Sequence, residues 1–496
     1  MNKILVANRG EIAVRIMRSA REMGIPTVAV FSDADRLAMH VQYADEAVHI
    51  GESPSNLSYL NIERIIEACR TTESDSVHPG YGFLSENPAF AKALQAAGIT
   101  LIGPSPEAME IMGNKLSAKA AAMQYNIPLI KGTTEPISDI GEAKRQAKDI
   151  GFPILIKAAA GGGGKGMRVV KHEEAFEEEL KMAISEARSA FGDESVFLER
   201  YISAPKHIEI QVLADNFGHT IHLFERECSV QRRHQKVVEE APSAVVDAAL
   251  RERMGKCAVE VARSCNYSGA GTVEFILDEQ MNFYFLEMNT RLQVEHPITE
   301  MITGVDLVKE QIKIARGERL LIEQNDLRIH GHAIELRIYA EDPLNNFLPD
   351  TGELTTYELP QGPGIRVDNA YRAGMEVSVF YDPMIAKLVA WGSTREEAIA
   401  RMRRAIQEYR ITGIQTTLNF GTFVMNHPDF RSGQYTTNFI SSFQPEAIPA
   451  SLVNEAQVAA ILAYKVFTKA LHSVVDATEH SQKEAIPASN WKKNRI

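Results

Sequence analysis

Polar and apolar residues alternate almost without a break from Leu286 to Glu295, along Glu287-Met288-Asn289-Thr290-Arg291-Leu292-Gln293-Val294-Glu295. Successive side chains of an extended strand point to opposite faces, so an extended run aims Glu287, Asn289, Arg291, Gln293 and Glu295 the same way. One such strand alone describes a solvated face. Two more segments with the same alternation, His207-Ile208-Glu209-Ile210-Gln211-Val212 and Thr272-Val273-Glu274-Phe275-Ile276, turn the reading towards the wall of a cleft. Glu274, Glu287 and Asn289 offer oxygen ligands without imidazole or thiolate, the set that hard Mg²⁺ accepts beside nucleotide phosphates. That chemistry points to ATP and away from a zinc hydrolase. Arg291 supplies a planar fork for a small carboxylate-like anion, and Glu295, two steps further, lies within reach to deprotonate it.

Cations recur where phosphate charge needs them. Lys115 follows Gly113-Asn114, Lys157 stands inside the apolar stretch from Phe152 to Ala160, and Lys236 closes Gln231-Arg232-Arg233-His234-Gln235-Lys236. Lys157 is the most informative, because a lysine amid aliphatic residues is unfavourable to bury unless an anion meets it. The Arg-Arg-His-Gln-Lys cluster in isolation is equally a surface patch. The tract Gly161-Gly162-Gly163-Gly164-Lys165-Gly166 lies between two strand-like segments, Ile154 to Ala159 and Met167 to Lys171. A P-loop runs G-x-x-x-x-G-K-[ST] into a helix, whereas here Gly166 follows Lys165 and a strand comes next. The expected structure is a hairpin whose glycine tip serves as a lid, closing backbone N–H groups over phosphates.

The elements that must hold these residues follow from periodicity. Ile4 to Ala7, Thr27 to Phe31 and Ser76 to His78 read as short apolar strands alternating with helical patterns at Glu11 to Met23 and Ile62 to Cys69, a parallel α/β sheet. The turn Asn8-Arg9-Gly10-Glu11 has one glycine and lacks the dinucleotide fingerprint G-x-G-x-x-G. Residues 207–444 are richer in alternating strands, and Ser451 to Val475 read as one helix followed by a polar stretch. A chain of 496 residues with 45% hydrophobic and 24% charged residues is ordinary globular material for two to four units. Its net charge of −12 repels polyanions, which leaves no general nucleic-acid role. Cys69, Cys228, Cys257 and Cys265 lack metal or disulfide spacing and read as free thiols of a reducing compartment. The start is too short in apolar residues for a signal peptide and no stretch approaches membrane-spanning length, so the expected location is cytoplasmic.

These motifs, in this order, resemble the biotin carboxylase components of biotin-dependent carboxylases, of the ATP-grasp fold. The supporting segments are Ala7 to Ala13, His78 to Asn87, the glycine tract, Gln231 to Pro242, Glu287 to Pro297 and Arg337 to Asp342. The resemblance implies an N-terminal parallel α/β, Rossmann-like domain at 1–113, an ATP-grasp domain at 114–330 with a mobile lid at about 131–203, a β-rich C-terminal domain at 331–446, and a helical tail at 447–496 of open role. It implies that Lys115, Lys157, Gly162, Gly163, Gly164, Glu199, His207, Gln231 and His234 contact ATP, and that Glu274, Glu287 and Asn289 hold Mg²⁺ or Mn²⁺, two ions in all. Lys236, Arg291, Gln293 and Val294 place bicarbonate, Glu295 acts as its base, Tyr81 lines the substrate site, and Arg337 steadies the biotin enolate oxygen.

The family's biotin acceptor is a lysine between two methionines, a tripeptide absent here. The resemblance therefore leads to the expectation of biotin on a separate carrier protein, of a homodimer, and of a carboxyltransferase as the partner subunit. The expected final acceptor is acetyl- or propionyl-CoA, with pyruvate as the alternative. Rival readings are another ATP-grasp carboxylate ligase and a silent nucleotide-binding scaffold, the latter disfavoured by Glu295, Arg291 and Arg337 all being present.

Overall fold

The computed structural model describes residues 1–443 apart from 126, 138, 159–166, 192–193 and 234, together with 460–468; of 115, 116, 190 and 191 it describes the backbone only. Gly162, Gly163, Gly164 and His234, and the side chain of Lys115, lie outside the described residues. The chain divides into two units, Met1–Phe443 and Gln444–Ile496.

In the first unit, five short strands form a parallel sheet: β1 (Ile4–Val6), β2 (Thr27–Ser32), β3 (Glu46–Gly51), β4 (Ser76–His78) and β5 (Thr100–Leu101), in the order β3-β2-β1-β4-β5. Every residue of β1 and β4 is buried, as expected of strands covered on both faces by crossover helices such as α1 (Gly10–Glu22). The sequence reading of this sheet holds. Gly10 opens the first helix with φ +66°, a conformation that glycine adopts without a Cβ clash, so the chain turns sharply out of β1.

Next comes a small antiparallel sheet of β6 (Ile154–Ala158), β7 (Met167–Val170) and β8 (Val196–Arg200), order β7-β6-β8. Helices α2 (Ile140–Ile150) and α3 (Phe176–Phe191) cover it, and Ile154, Ile156, Leu180 and Leu198 form part of a separate apolar core. β6 pairs with β7 from Ile154↔Val170 to Lys157↔Met167, so the glycine tract does connect two arms of a hairpin.

An eight-stranded antiparallel sheet carries the remaining chain. Its strands are β9 (Lys206–Ala214), β10 (Thr220–Arg232), β11 (Gln235–Ala241), β12 (Gly269–Leu277), β13 (Phe283–Asn289), β14 (His332–Tyr339), β15 (Ile365–Asn369) and β16 (Met384–Gly392). Their order is β13-β12-β9-β10-β11-β14-β16-β15, so the sheet continues across residue 331. Helix α4 (Ala248–Ser264) contributes Leu250, Met254 and Ala258 to the core over Ile208, Ile210 and Val273. Helix α5 (His296–Thr303) lies against β14, and its Ile298 and Ile302 pack with Ala241, Ala333 and Val389. Helices α6 (Arg395–Glu408) and α7 (Leu418–Asn426) pack on Ile334, Leu336 and Ile338. Among the described residues no helix is long and apolar enough to cross a membrane, and the four cysteines are free.

Of the second unit, residues 460–468 are helical, with Ile461, Leu462, Tyr464, Val466 and Phe467 exposed. The rest of the expected helix over Ser451 to Val475 lies outside the described residues.

Candidate active site

Glu295 does not sit on an extended strand. β13 ends at Asn289, and Glu295 is the residue before α5, with φ −80° and ψ 12°. Two local facts end the strand. β13 is the sheet edge, and the Thr290 N–H that a neighbouring strand could have taken instead donates to Glu86 Oε1 at 3.0 Å. Pro297 then stands at the start of α5, where its fixed φ and missing N–H favour the first helical turn. The expected single face from Glu287 to Glu295 is therefore replaced by a turn, and convergence comes from other strands.

The turn delivers Glu295, itself fully buried, into a clamp. Lys236 Nζ, from β11, donates to Glu295 Oε1 at 2.7 Å, and Arg337 Nη2, from β14, donates to Oε2 at 2.9 Å. Burial pushes the Glu295 carboxyl up, but Lys236, Arg337 and Arg226 override it and hold the group well below the usual carboxylate range. Glu295 is thus an ionised, oriented acceptor. Lys236 also donates to Glu209 and, at 3.0 Å, to Glu274 Oε1. Burial opposes its charge, yet these three carboxylates keep the ammonium pKa well above the ordinary lysine value.

Glu274 belongs to β12, with His207 Nε2 3.1 Å from its Oε2 and Asn289 Nδ2 donating to its Oε1 at 2.9 Å. It stands directly opposite Glu287 across the β12–β13 pair. Like charges so opposed destabilise a sheet unless a cation lies between or beside them. With Asn289 on the same strand, the set is oxygen-rich and free of thiolate, which fits a hard divalent cation.

Arg291 folds back on its own neighbourhood: Nε donates to Glu86 Oε2 at 2.7 Å, Nη1 to Gln293 Oε1 at 3.2 Å and Nη2 to Asn289 Oδ1 at 3.2 Å. It also lines a cavity of about 370 Å³ with Tyr81, Val294, Arg337 and Tyr339. The structure thereby brings four of the expected catalytic and substrate residues, Tyr81, Arg291, Val294 and Arg337, to one opening. Gln293 and Glu295 are buried beside it.

Of the expected nucleotide residues, Lys157 and Glu199 lie on the three-stranded sheet, His207 on β9 and Gln231 on β10, while the backbone of Lys115 opens a helix, Lys115–Gln124. Lys157 and Lys119 both donate to Glu199, the latter at 2.5 Å. Burial raises the Glu199 carboxyl, but the two lysines bring it below the ordinary value. The anion that the half-buried lysine required is this glutamate. Gln231, at the end of β10, donates to the Cys228 carbonyl at 2.8 Å and pairs with Lys236 in the ladder.

Several site-forming residues escape sequence reasoning. Arg226 is fully buried and fixes Glu209 through Nε at 2.5 Å, Gln211 at 2.7 Å, Thr299 at 2.9 Å and Thr272 at 3.0 Å. Lys387 of β16 donates to the Val294 carbonyl at 2.9 Å and lies 3.2 Å from Glu11. Its surroundings, Ile385-Ala386-Lys387-Leu388-Val389, carry the same signal that singled out Lys157, a cation inside an apolar strand. Glu239 anchors Arg337 Nε at 2.6 Å.

Comparisons with known proteins agree with this architecture. Residues 1–109 match the family model "Biotin carboxylase, N-terminal domain", 114–323 match "Carbamoyl-phosphate synthase L chain, ATP binding domain", and 335–442 match "Biotin carboxylase C-terminal domain". The propionyl-CoA carboxylase alpha chain of Ruegeria pomeroyi is 49% identical over 495 residues, covering 96% of this chain and 72% of its own. A pyruvate carboxylase subunit of Methanothermobacter thermautotrophicus is 51% identical over 443 residues, 89% of this chain and 90% of its own. A crystal structure of the Hydrogenobacter thermophilus 2-oxoglutarate carboxylase biotin carboxylase domain dimer, with MgADP, ADP and bicarbonate, is 47% identical, covers 91% of this chain and 99% of its own, and superposes with a TM-score of 0.85. With two of its own domain models matched in order around an ATP-binding module, and whole-length relatives near half identity, the chain belongs to the biotin carboxylase family.

Proposed function

We propose that this biotin carboxylase, an ATP-dependent ligase, serves an acyl-CoA carboxylase, carboxylating biotin on a carrier protein. The observation that carries the site assignment is Glu295, clamped between Lys236 and Arg337 behind a cavity lined by Arg291, Val294 and Tyr81. The acyl-CoA assignment rests on similarity to the propionyl-CoA carboxylase chain covering 96% of this sequence, against 89% for the Methanothermobacter pyruvate carboxylase chain.

In this reading bicarbonate lies against the Arg291 fork, with Gln293, Val294 and Lys236 around it, and the ionised Glu295 takes its proton. The bicarbonate oxygen attacks the γ-phosphorus of ATP while the bond to the bridging oxygen breaks, giving carboxyphosphate and ADP. Phosphoryl transfer is mainly positioning and charge neutralisation. Lys115, Lys157, Glu199, His207, Gln231 and His234 position the nucleotide, and the backbone of Gly162, Gly163 and Gly164 closes over its phosphates. Mg²⁺ or Mn²⁺ held by Glu274, Glu287 and Asn289 would supply the charge neutralisation that the transferring phosphates need. Carboxyphosphate releases CO₂, the freed phosphate takes the ureido proton of biotin, and the nitrogen attacks CO₂. Arg337, anchored by Glu239 and Glu295, faces the oxygen on which enolate charge develops. Exclusion of water by the lid protects carboxyphosphate meanwhile.

We assign 1–113, 114–330 and 331–446 as the three working domains, and as partners the carrier, a second copy of the chain and a carboxyltransferase. The deciding measurement is ATP hydrolysis with and without bicarbonate and free biotin. ADP release that needs bicarbonate and rises with biotin is expected, and ADP release indifferent to bicarbonate sinks the assignment. Label from bicarbonate entering pyruvate rather than propionyl- or acetyl-CoA, in the reconstituted holoenzyme, would replace the acyl-CoA assignment.

A further inference from the structure

Behind Arg337 the antiparallel ladder sets Glu335 of β14 directly opposite Glu239 of β11, and both side chains are fully buried. Residues so opposed share one face with their Cβ atoms about 5 Å apart, a placement that penalises two negative charges. The cations on this face are engaged elsewhere. Arg337 gives Nε to Glu239 Oε1 at 2.6 Å, Nη2 to Glu295 at 2.9 Å and Nη1 to the Tyr339 hydroxyl at 3.4 Å. Lys387, opposite Arg337 on β16, donates to the Val294 carbonyl at 2.9 Å and lies 3.2 Å from Glu11. Lys236 is shared by Glu209, Glu274 and Glu295. From above, α5 covers Ala333 and Val389 beside the pair with Ile298 and Ile302, which donate nothing.

Glu239 Oε2 and both oxygens of Glu335 are left without a hydrogen-bond donor among the described residues. An ionised carboxylate only accepts, whereas a carboxylic acid has one donor. A single proton on the pair would let one of the Glu335 oxygens and Glu239 Oε2 share an O–H···O bond. We propose that Glu335 is a neutral carboxylic acid in the resting enzyme, donating to Glu239 Oε2, and that this acid–carboxylate pair is the positioning device that fixes the plane of the Arg337 guanidinium. Burial, followed by the opposing pull of Lys387 and the push of Glu239, leaves the Glu335 group well above the carboxylate range, in the same direction as the geometry. Glu335 is fully buried and is not among the residues that line the cavity with Arg291 and Arg337. With Glu239 Oε2 tied, Oε1 stays aimed at Arg337 Nε, and the guanidinium keeps its remaining N–H groups for Glu295 and for the biotin oxygen. The role in turnover rests on the proposed function, whereas the protonation state does not.

Infrared difference spectra of the full chain test the proton itself. At pH 7 the intact protein is expected to show the C=O stretch of a buried carboxylic acid, shifted in D₂O and missing from Glu335→Gln. A difference spectrum between the intact protein and Glu335→Gln in which that band is absent overturns the proposal. Kinetics test the positioning. Glu335→Gln keeps a neutral donor beside Glu239 and is expected to retain biotin-stimulated ATP cleavage within about twofold, whereas Glu335→Leu, which donates nothing, loses about tenfold in kcat with the bicarbonate KM unchanged. Equal damage in the two variants counts against a positioning bond. Should the intact protein show no biotin stimulation at all, the functional reading fails and the spectrum still decides the proton.

Discussion

Strands β1 and β4 of the parallel sheet and β9 and β14 of the antiparallel sheet are buried along almost their whole length, and they differ in the chemistry they bury. Ile4, Leu5, Val6, Val28 and Val77 are fully buried aliphatics. Glu209, Gln211, Arg226, Glu239, Glu335 and Lys387 are just as completely buried and are polar or charged. In the first sheet a side chain is fixed by the water it excludes. In the second it is fixed by the partner it meets, because an unpaired buried charge is costly. The first is a scaffold that tolerates trimming at a cost in stability alone. The second holds a network in which removing one member strands another.

The largest effect expected from breaking this contrast is at Glu295. Glu295→Gln keeps the shape but removes the charge that faces Lys236 and Arg337 and the base proposed for bicarbonate. Bicarbonate-dependent ATP cleavage should fall by about a hundredfold or more, the usual loss for a positioned proton acceptor. Arg337→Ala should abolish biotin stimulation with less effect on the basal bicarbonate-dependent rate. Equal loss of both rates would place Arg337 in the phosphoryl-transfer step instead. Initial-rate assays of ADP release separate these outcomes.

How much of this was legible beforehand follows the same divide. The strands β1, β2 and β4 and helix α1 are readable because apolar periodicity is local, and the β6–β7 hairpin is readable from a glycine tract between two aliphatic runs. The charged alternation on β9, β12 and β13 identified a polar face. It failed after Asn289, where Glu86, 205 positions from Arg291, takes over the hydrogen bonding and the chain turns into α5. No period in a sequence encodes a partner at that distance. Lys387 carries a local signal, a cation inside the apolar run Ile385-Ala386-Lys387-Leu388-Val389. Glu239 and Glu335 carried none, since their meaning lies in the register of two strands far apart in the chain.

Next in size come two stability changes of similar magnitude and different consequence. Leu5→Ala, in the dry sheet, should cost about 2–5 kcal/mol through lost burial and a residual cavity, while the activity per folded molecule stays unchanged. Arg226→Leu leaves Glu209 buried without its guanidinium and should cost about 3–5 kcal/mol. It should also lower kcat, because Glu209 then pulls Lys236 away from Glu295. Denaturant unfolding and rates measured on the same samples check both. An Arg226→Leu protein with full activity would show that the network below Lys236 does not orient it.

The smallest effect sharpens the contrast by its sign. At the parallel sheet, burial pushes His40, in the helix Met39–Tyr43 beside β2, down to about 4 and His78 of β4 down to about 3, so both stay neutral when folded. The unfolded chain binds those protons below an ordinary histidine pKa of about 6.5, so this sheet loses stability as pH falls from there, by at most about 1.4 kcal/mol per pH unit for each histidine. Beneath the active site, burial raises the facing pair Glu239 and Glu335 above the ordinary carboxylate range, with Arg337 and Lys387 opposing, so the folded pair keeps one shared proton. The unfolded chain gives up that proton above the ordinary carboxylate pKa of about 4.3, so acidification towards that value stabilises the antiparallel sheet. Hydrogen exchange corrected for intrinsic rates, compared at pH 7 and pH 5.5, should show β1, β2 and β4 opening more readily while β11 and β14 open less. Parallel changes in the two sheets would mean that they unfold as one cooperative body and that the two charge environments are not felt separately. A His78→Asn variant should then flatten the acid slope of the parallel sheet alone, since asparagine can still accept the Gly80 N–H that His78 Nδ1 now takes at 3.1 Å but has no proton to gain.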